Sequence, residues 1–205
     1  MSVSGDTSSA SGLTFLGVRI EVQPISPTNM RTALQVVCFF DWRKNTVMTG
    51  GSGELDHQLG HALLTLRQED HFRGEELESL LLRPPPGQVS PERILLMGLG
   101  DPASLSTSTL VRVGRMATLE AMRLNVSSFS LAPDIKDAGI AFPGADASAS
   151  LVTGMFQALE TAERLHELRV ADRPKLTGIT LLAGHEHLST AEEGLQIAIR
   201  RARSA

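Results

Sequence analysis

Apolar residues along this chain fall into two kinds of run, and the kinds alternate. Residues 14–22 (TFLGVRIEV) interleave apolar and polar positions with a period of two, which predicts a strand. Residues 33–40 (ALQVVCFF) and 93–98 (RILLMG) are almost continuously apolar, as expected of strands covered on both faces. Shorter runs at 77–82, 127–132 and 178–183 complete a set of five or six strands, the one at 127–132 being the weakest. The run at 77–82 is closed by Pro84, Pro85 and Pro86, which end any regular element.

Between these runs the period becomes helical. Over 54–67, Leu55, Leu59, Ala62, Leu63 and Leu66 share one face. Over 107–125, Leu110, Val113, Ala117, Ala121 and Leu124 form a stripe, while Met116, Leu119 and Met122 carry apolar surface further round the helix. Over 147–168 the stripe is Val152, Met155, Phe156, Leu159 and Ala162. A last helix starts at Ser189, with Glu192 at capping-box spacing, and buries Leu195, Ala198, Ile199 and Ala202. Strands alternating with helices of this length predict βαβ units and an α/β fold whose largely parallel sheet is covered on both sides. No repeat and no linker divides the pattern, so a single domain is expected over 13–205, behind a disordered polar tail at 1–12.

Composition narrows the function classes. A formal net charge of -4 argues against nucleic acid or an anionic membrane as partner. The basic cluster Arg200, Arg201 and Arg203 suits a helix C-terminus. The opening segment lacks the basic and apolar regions of a signal peptide, and no apolar run approaches the ~20 residues of a membrane span. A soluble, cytoplasmic protein is the expectation. The one cysteine, Cys38, lies within an apolar run, which excludes a disulfide framework and reads as core packing.

Candidate chemistry is sparse. Gly50, Gly51, Ser52 and Gly53 lead into a helical pattern, and the backbone N–H groups of such a turn can hold a phosphate. No lysine follows as in a P-loop, and a plain turn capped by Ser52 explains the same residues. His57 and His61 are spaced i, i+4, with Glu54 on the same side and His71 soon after, a pattern that can hold a metal. They lie opposite the leucine stripe, so a solvated polar face accounts for them, and neither metal nor cofactor is expected. His185, Glu186 and His187 follow the last strand, where α/β sites form, and read as a polar loop. With Cys38 in mid-strand and no G-x-S-x-G elbow, no catalytic residue is assigned. Arg112, Arg115 and Arg123 read as a solvated basic surface. Met116, Leu119 and Met122 mark either a helix packed on more than one side or an interface with another subunit.

Three segments in order carry a family resemblance. They are VVCFFDWRKNTVMTGGSGELDHQLGHALLTL, then PPPGQVSPERILLMGLGD with a long helix after it, then LVTGMFQALETAERL. Together they resemble the N-terminal domain of leucyl aminopeptidases over roughly residues 13–200, the GLG strand being the most specific part. The resemblance implies a macro-like three-layer α/β/α fold with a mixed, mostly parallel sheet. Members of that family carry a two-metal centre in a C-terminal domain, marked by a Lys and Asp pair and an NTDAEGRL-type loop. Neither motif occurs here, so a freestanding N-terminal domain without peptidase activity is expected.

In the same way TGGSGELDHQL is similar to the first glycine-rich loop of macro domains, and AGIAFPGADAS to their second phosphate loop. The acid expected after the preceding strand is missing at VQPI, and Phe39 and Asp41 stand where an Asn pair would fall. The leading expectation is a non-catalytic module that acts as a homo-oligomer or on a peptidase-type partner. One alternative is a nucleotide or ADP-ribose module using Gly50, Gly51, Ser52 and Gly53 with Gly139, Ile140 and Phe142. Another is the regulatory half of a split metallo-aminopeptidase.

Overall fold

The computed structural model describes residues 12–204. The polar tail expected at 1–12 lies outside these residues, except for Gly12. Seven strands form one sheet: β1 (Leu13–Phe15), β2 (Val18–Gln23), β3 (Gln35–Phe40), β4 (Ser79–Leu82), β5 (Ile94–Gly100), β6 (Ser128–Ala132) and β7 (Gly178–Leu182). Their spatial order is β1-β2-β7-β6-β3-β5-β4. The five inner strands run parallel, and β1 and β4 are antiparallel edges. The helices are α1 (Gly50–Gln58), α2 (Ala62–Gln68), α3 (Thr107–Arg123), α4 (Gly144–Glu167) and α5 (Leu188–Ser204). The expected mixed, mostly parallel α/β sheet is the one observed.

The continuous apolar runs are explained by two cores. In β3, Val36, Cys38 and Phe40 face the large core with α3, α4 and α5, while Val37 and Phe39 face a smaller core with Leu55, Leu63 and Phe72. In β5, Leu95, Met97 and Leu99 go to the large core, and Ile94 and Leu96 to the small one. A strand sandwiched in this way has no polar face to show. By contrast β2 sends Val18, Ile20 and Val22 into the large core, and Arg19, Glu21 and Gln23 alternate with them.

Three boundaries differ from the sequence pattern. The strand expected over 14–22 is a hairpin: Leu16 (φ 45) and Gly17 (φ 81) form a two-residue turn between β1 and β2. Positive φ at both central residues matches the twist of the flanking strands. The helix expected over 54–67 is two helices. Gly60 and His61, both at φ 64, break it, and the Asp56 carboxylate accepts the Leu64 N–H of α2 at 2.9 Å. Finally, Ser189 is not a cap. The chain enters α5 through a 3₁₀ turn at His185–His187, which places Ser189 inside the helix. Among the described residues no helix is long and apolar enough to cross a membrane.

Candidate ligand cleft

Because β2, β6 and β7 are parallel, their C-terminal ends open on one edge of the sheet, the usual place for an α/β site. A cleft of about 540 Å³ lies there. Its walls are the loops that leave these strands, the start of α1, and the first turns of α4 and α5. Leu151, Phe142, Ile25 and Leu181 supply apolar lining, and Gly50, Gly51 and Gly144 bring backbone to the surface. The volume falls in the range of small-molecule sites, roughly 300–1,000 Å³.

The loop after β6 dominates the polar chemistry. Pro133 ends the strand, and Asp134 follows at φ 54. Burial pushes the Asp134 carboxyl well above the usual carboxylate range; the Ser52 hydroxyl pulls it back, and the neighbouring Asp137 charge adds to the rise. Three bonds tie this loop to the segment before and at the start of α1. The Gly51 N–H donates to Asp137 Oδ2 at 3.0 Å, Thr49 Oγ1 donates to the Asp137 carbonyl at 2.6 Å, and Asn45 Nδ2 donates to the Ala138 carbonyl at 2.9 Å. Glu54, on the first turns of α1, accepts the Ser26 hydroxyl at 2.6 Å from the loop after β2. Glu186 and the two histidines beside it close the far side.

Arg67 lies close to this edge of the sheet. It is 1% exposed, and its Nη2 donates to the Phe40 carbonyl at 2.9 Å at the end of β3. Its guanidinium stacks over the rings of Phe39 and Trp42 at 4.7 and 5.0 Å, while Nε and Nη1 have no partner. Burial pushes Arg67 down to about 10, against the pull of Asp134, Asp41 and Glu78. Burial likewise pushes the Cys38 thiol up and leaves it unreactive in the core.

The family model for the cytosol aminopeptidase N-terminal domain matches residues 36–167, more than half of the chain. The chain belongs to the cytosol aminopeptidase family. No curated protein matches it by sequence. Among solved structures it is similar to a macrodomain of Oceanobacillus iheyensis, at 18% identity and TM-score 0.67, over 94% of this chain and 99% of that one. A macrodomain of Trypanosoma brucei in complex with ADP aligns at 17% identity and TM-score 0.59, over 86% of this chain and 68% of that one. Tomato leucine aminopeptidase aligns at 18% identity and TM-score 0.55 over 88% of this chain. The aligned part is 36% of the tomato chain. At these identities the likeness is one of fold.

Within this family fold the sequence candidates separate. Gly50 and Gly51 line the cleft, as does Phe142. Ser52 is buried beneath it, its hydroxyl bonded to the Thr49 carbonyl at 3.1 Å. Gly53, Gly139 and Ile140 are not among the lining residues. The amides of Ala138, Gly139 and Ile140 are taken by the carbonyls of Asp134, Lys136 and Ile135, which curls the second glycine loop on itself. His57 and His61 stack loosely, with ring centroids 5.8 Å apart, and His61 Nδ1 meets Asp56 at 3.0 Å. Among the described residues no three His, Cys, Asp or Glu side chains converge as a metal site. Met116 and Met122 are half-buried against the large core, and Leu119 is half-buried on α3. Arg112 pairs with Glu76, and Arg123 with Glu120.

Asp134, Asp137 and Arg67 escape the sequence reading. The only local signal was two acids directly after a strand that ends in proline. Nothing local marks Arg67, because its burial depends on α2 folding back under β3.

Proposed function

We propose that this chain is a small-molecule-binding module whose cleft holds a nucleoside-type ligand. The observation that carries the reading is the cleft of about 540 Å³ at the C-terminal edge of the parallel strands, lined by apolar side chains and by loop backbone. Two neighbours of the same fold are described with ADP, the O. iheyensis and T. brucei macrodomains. Peptide hydrolysis is not assigned to these residues, since a two-metal reaction needs several carboxylates converging on the ions.

Thermal shift of the 205-residue chain against adenosine, ADP and ADP-ribose tests it. A ligand at a hundred times its Kd adds about 2.7 kcal/mol. In a domain of this size that raises Tm by about 5–10 °C. No shift with any of them at millimolar concentration removes the reading.

Self-association or docking on a peptidase-type partner is a second reading. It draws on Leu165, Leu168 and Val170, which stand 40%, 54% and 67% exposed together at the end of α4. The Val170 N–H closes on the Leu165 carbonyl at 3.1 Å, which brings the two side chains to one patch. Light scattering decides it: a monomer at high concentration excludes the homo-oligomer.

A further inference from the structure

The first turn of α1 directs its amides at the cleft, and a helix N-terminus is a ready anion site. In this chain the protein fills that place itself. Asp137 Oδ2 accepts the Gly51 N–H at 3.0 Å, and a Cβ added to Gly50 would stand 2.1 Å from the same oxygen. Gly50 therefore makes room for the Asp137 carboxylate. No acid lies in the first turn of α1, so Asp137 supplies the negative charge that its dipole favours. The backbone of the Asp137 loop is pinned independently, by Thr49 Oγ1 on the Asp137 carbonyl and Asn45 Nδ2 on the Ala138 carbonyl. The carboxylate is thus held against α1 from a fixed loop.

We infer that Asp137 sets the ligand class of the cleft: it holds the anion position at the start of α1, so the cleft takes an uncharged nucleoside and refuses a diphosphate. This rests on the nucleoside reading of the same cleft. A diphosphate reaching the Gly50–Gly51 backbone must expel Asp137 from its amide or lie against it. Both are unfavourable, because the expelled carboxylate loses its hydrogen bond and like charges repel. The remaining charge does not offset this. Glu54 and Glu186 also border the cleft, against Lys136 alone among lysines and arginines.

Calorimetric titration with adenosine and with ADP-ribose tests the inference on the full chain, Asp137→Ala and Asp137→Asn. The ratio of ADP-ribose to adenosine affinity within each protein is the readout, so a general loosening of the cleft cancels. ADP-ribose should bind the wild type more weakly than adenosine does, and Asp137→Ala tighter than wild type by about tenfold or more. Asp137→Asn removes the charge but keeps an oxygen for the Gly51 N–H, so its gain separates charge from a loosened loop. If ADP-ribose binds wild type and Asp137→Ala equally, or binds wild type as tightly as adenosine, the inference falls and the nucleoside site survives. If neither probe binds any of the three proteins, both readings fall.

Discussion

Gly114 of α3 and Gly154 of α4 rest on each other's helix. A Cβ on Gly114 would lie 2.0 Å from the Leu151 carbonyl oxygen, and one on Gly154 would lie 2.0 Å from that of Val111. The two helices meet backbone to backbone at this crossing, which sets how closely α3 and α4 lie on the sheet. Adding a methyl group forces them apart and opens the large core around Val113, Leu110 and Met155. Gly114→Ala or Gly154→Ala should cost about 2–3 kcal/mol, even after the better helix propensity of alanine. Thermal melting should show a drop of about 5–10 °C. The double variant should cost less than the sum, because one separation relieves both clashes. Strict additivity would contradict this picture.

Asp56 makes the break between α1 and α2 into a structured corner. It is 6% exposed; Oδ1 accepts the Leu64 N–H at 2.9 Å and Oδ2 meets His61 Nδ1 at 3.0 Å. Asp56→Ala leaves a first-turn amide of α2 without its partner and should destabilise the chain by about 1–2 kcal/mol. Chemical denaturation measures it. A change within error would mean that water replaces the carboxylate at no cost.

Arg67 carries a buried charge whose Nε and Nη1 have no partner. Its guanidinium, pushed down to about 10 from the ordinary arginine range, shows that burial disfavours the charged form. Methionine reaches a similar length without the charge. Arg67→Met loses the bond to the Phe40 carbonyl and the stacking on Phe39 and Trp42, yet should match wild type or exceed it by on the order of 1 kcal/mol. A loss above about 2 kcal/mol in urea unfolding would show that the guanidinium is essential to the fold.

The Asp134 carboxyl gives stability a pH dependence of known sign. Its folded value is raised by burial, so in the window above the ordinary carboxylate range the folded chain holds a proton that the unfolded chain has released. This contribution is fully present below that range and is lost as pH rises through the folded value. Asp134→Asn, which has no proton to lose, should flatten the decline. Unfolding free energies measured across the window check it, and an identical slope in the variant would sink the assignment.

The 205-residue chain should release no product from amide substrates such as leucine p-nitroanilide, with or without added manganese or zinc. Turnover that survives repurification and is abolished by a chelator would place a metal centre where the described residues offer no cluster of ligands.

The pattern along the chain was legible wherever one element met one environment. The runs at β3 and β5 announced burial on both faces, and the stripes on α3 and α5 announced one covered side, whereas α4, which packs on both α3 and α5, is buried well beyond its stripe. Reading one strand through Leu16 and Gly17 failed because the apolar alternation continues across the turn. Reading one helix through Gly60 failed because Leu55 and Leu63 lie on one side of both α1 and α2, so the stripe survives a break in the backbone. Of the residues that line the cleft, the local pattern singled out Gly50, Gly51 and Phe142 but neither Asp134 nor Asp137.

By itself the sequence determined the α/β class, the covered strands, the family and the absence of a disulfide framework, since each follows from local composition, periodicity or motif. Only the tertiary structure decided that Asp137 lies on Gly51, 86 residues away, and that Arg67 lies under β3. Such meetings depend on the order of strands in the sheet and on where each loop leaves it. Neither is encoded in the hydrophobic period of the segments that meet.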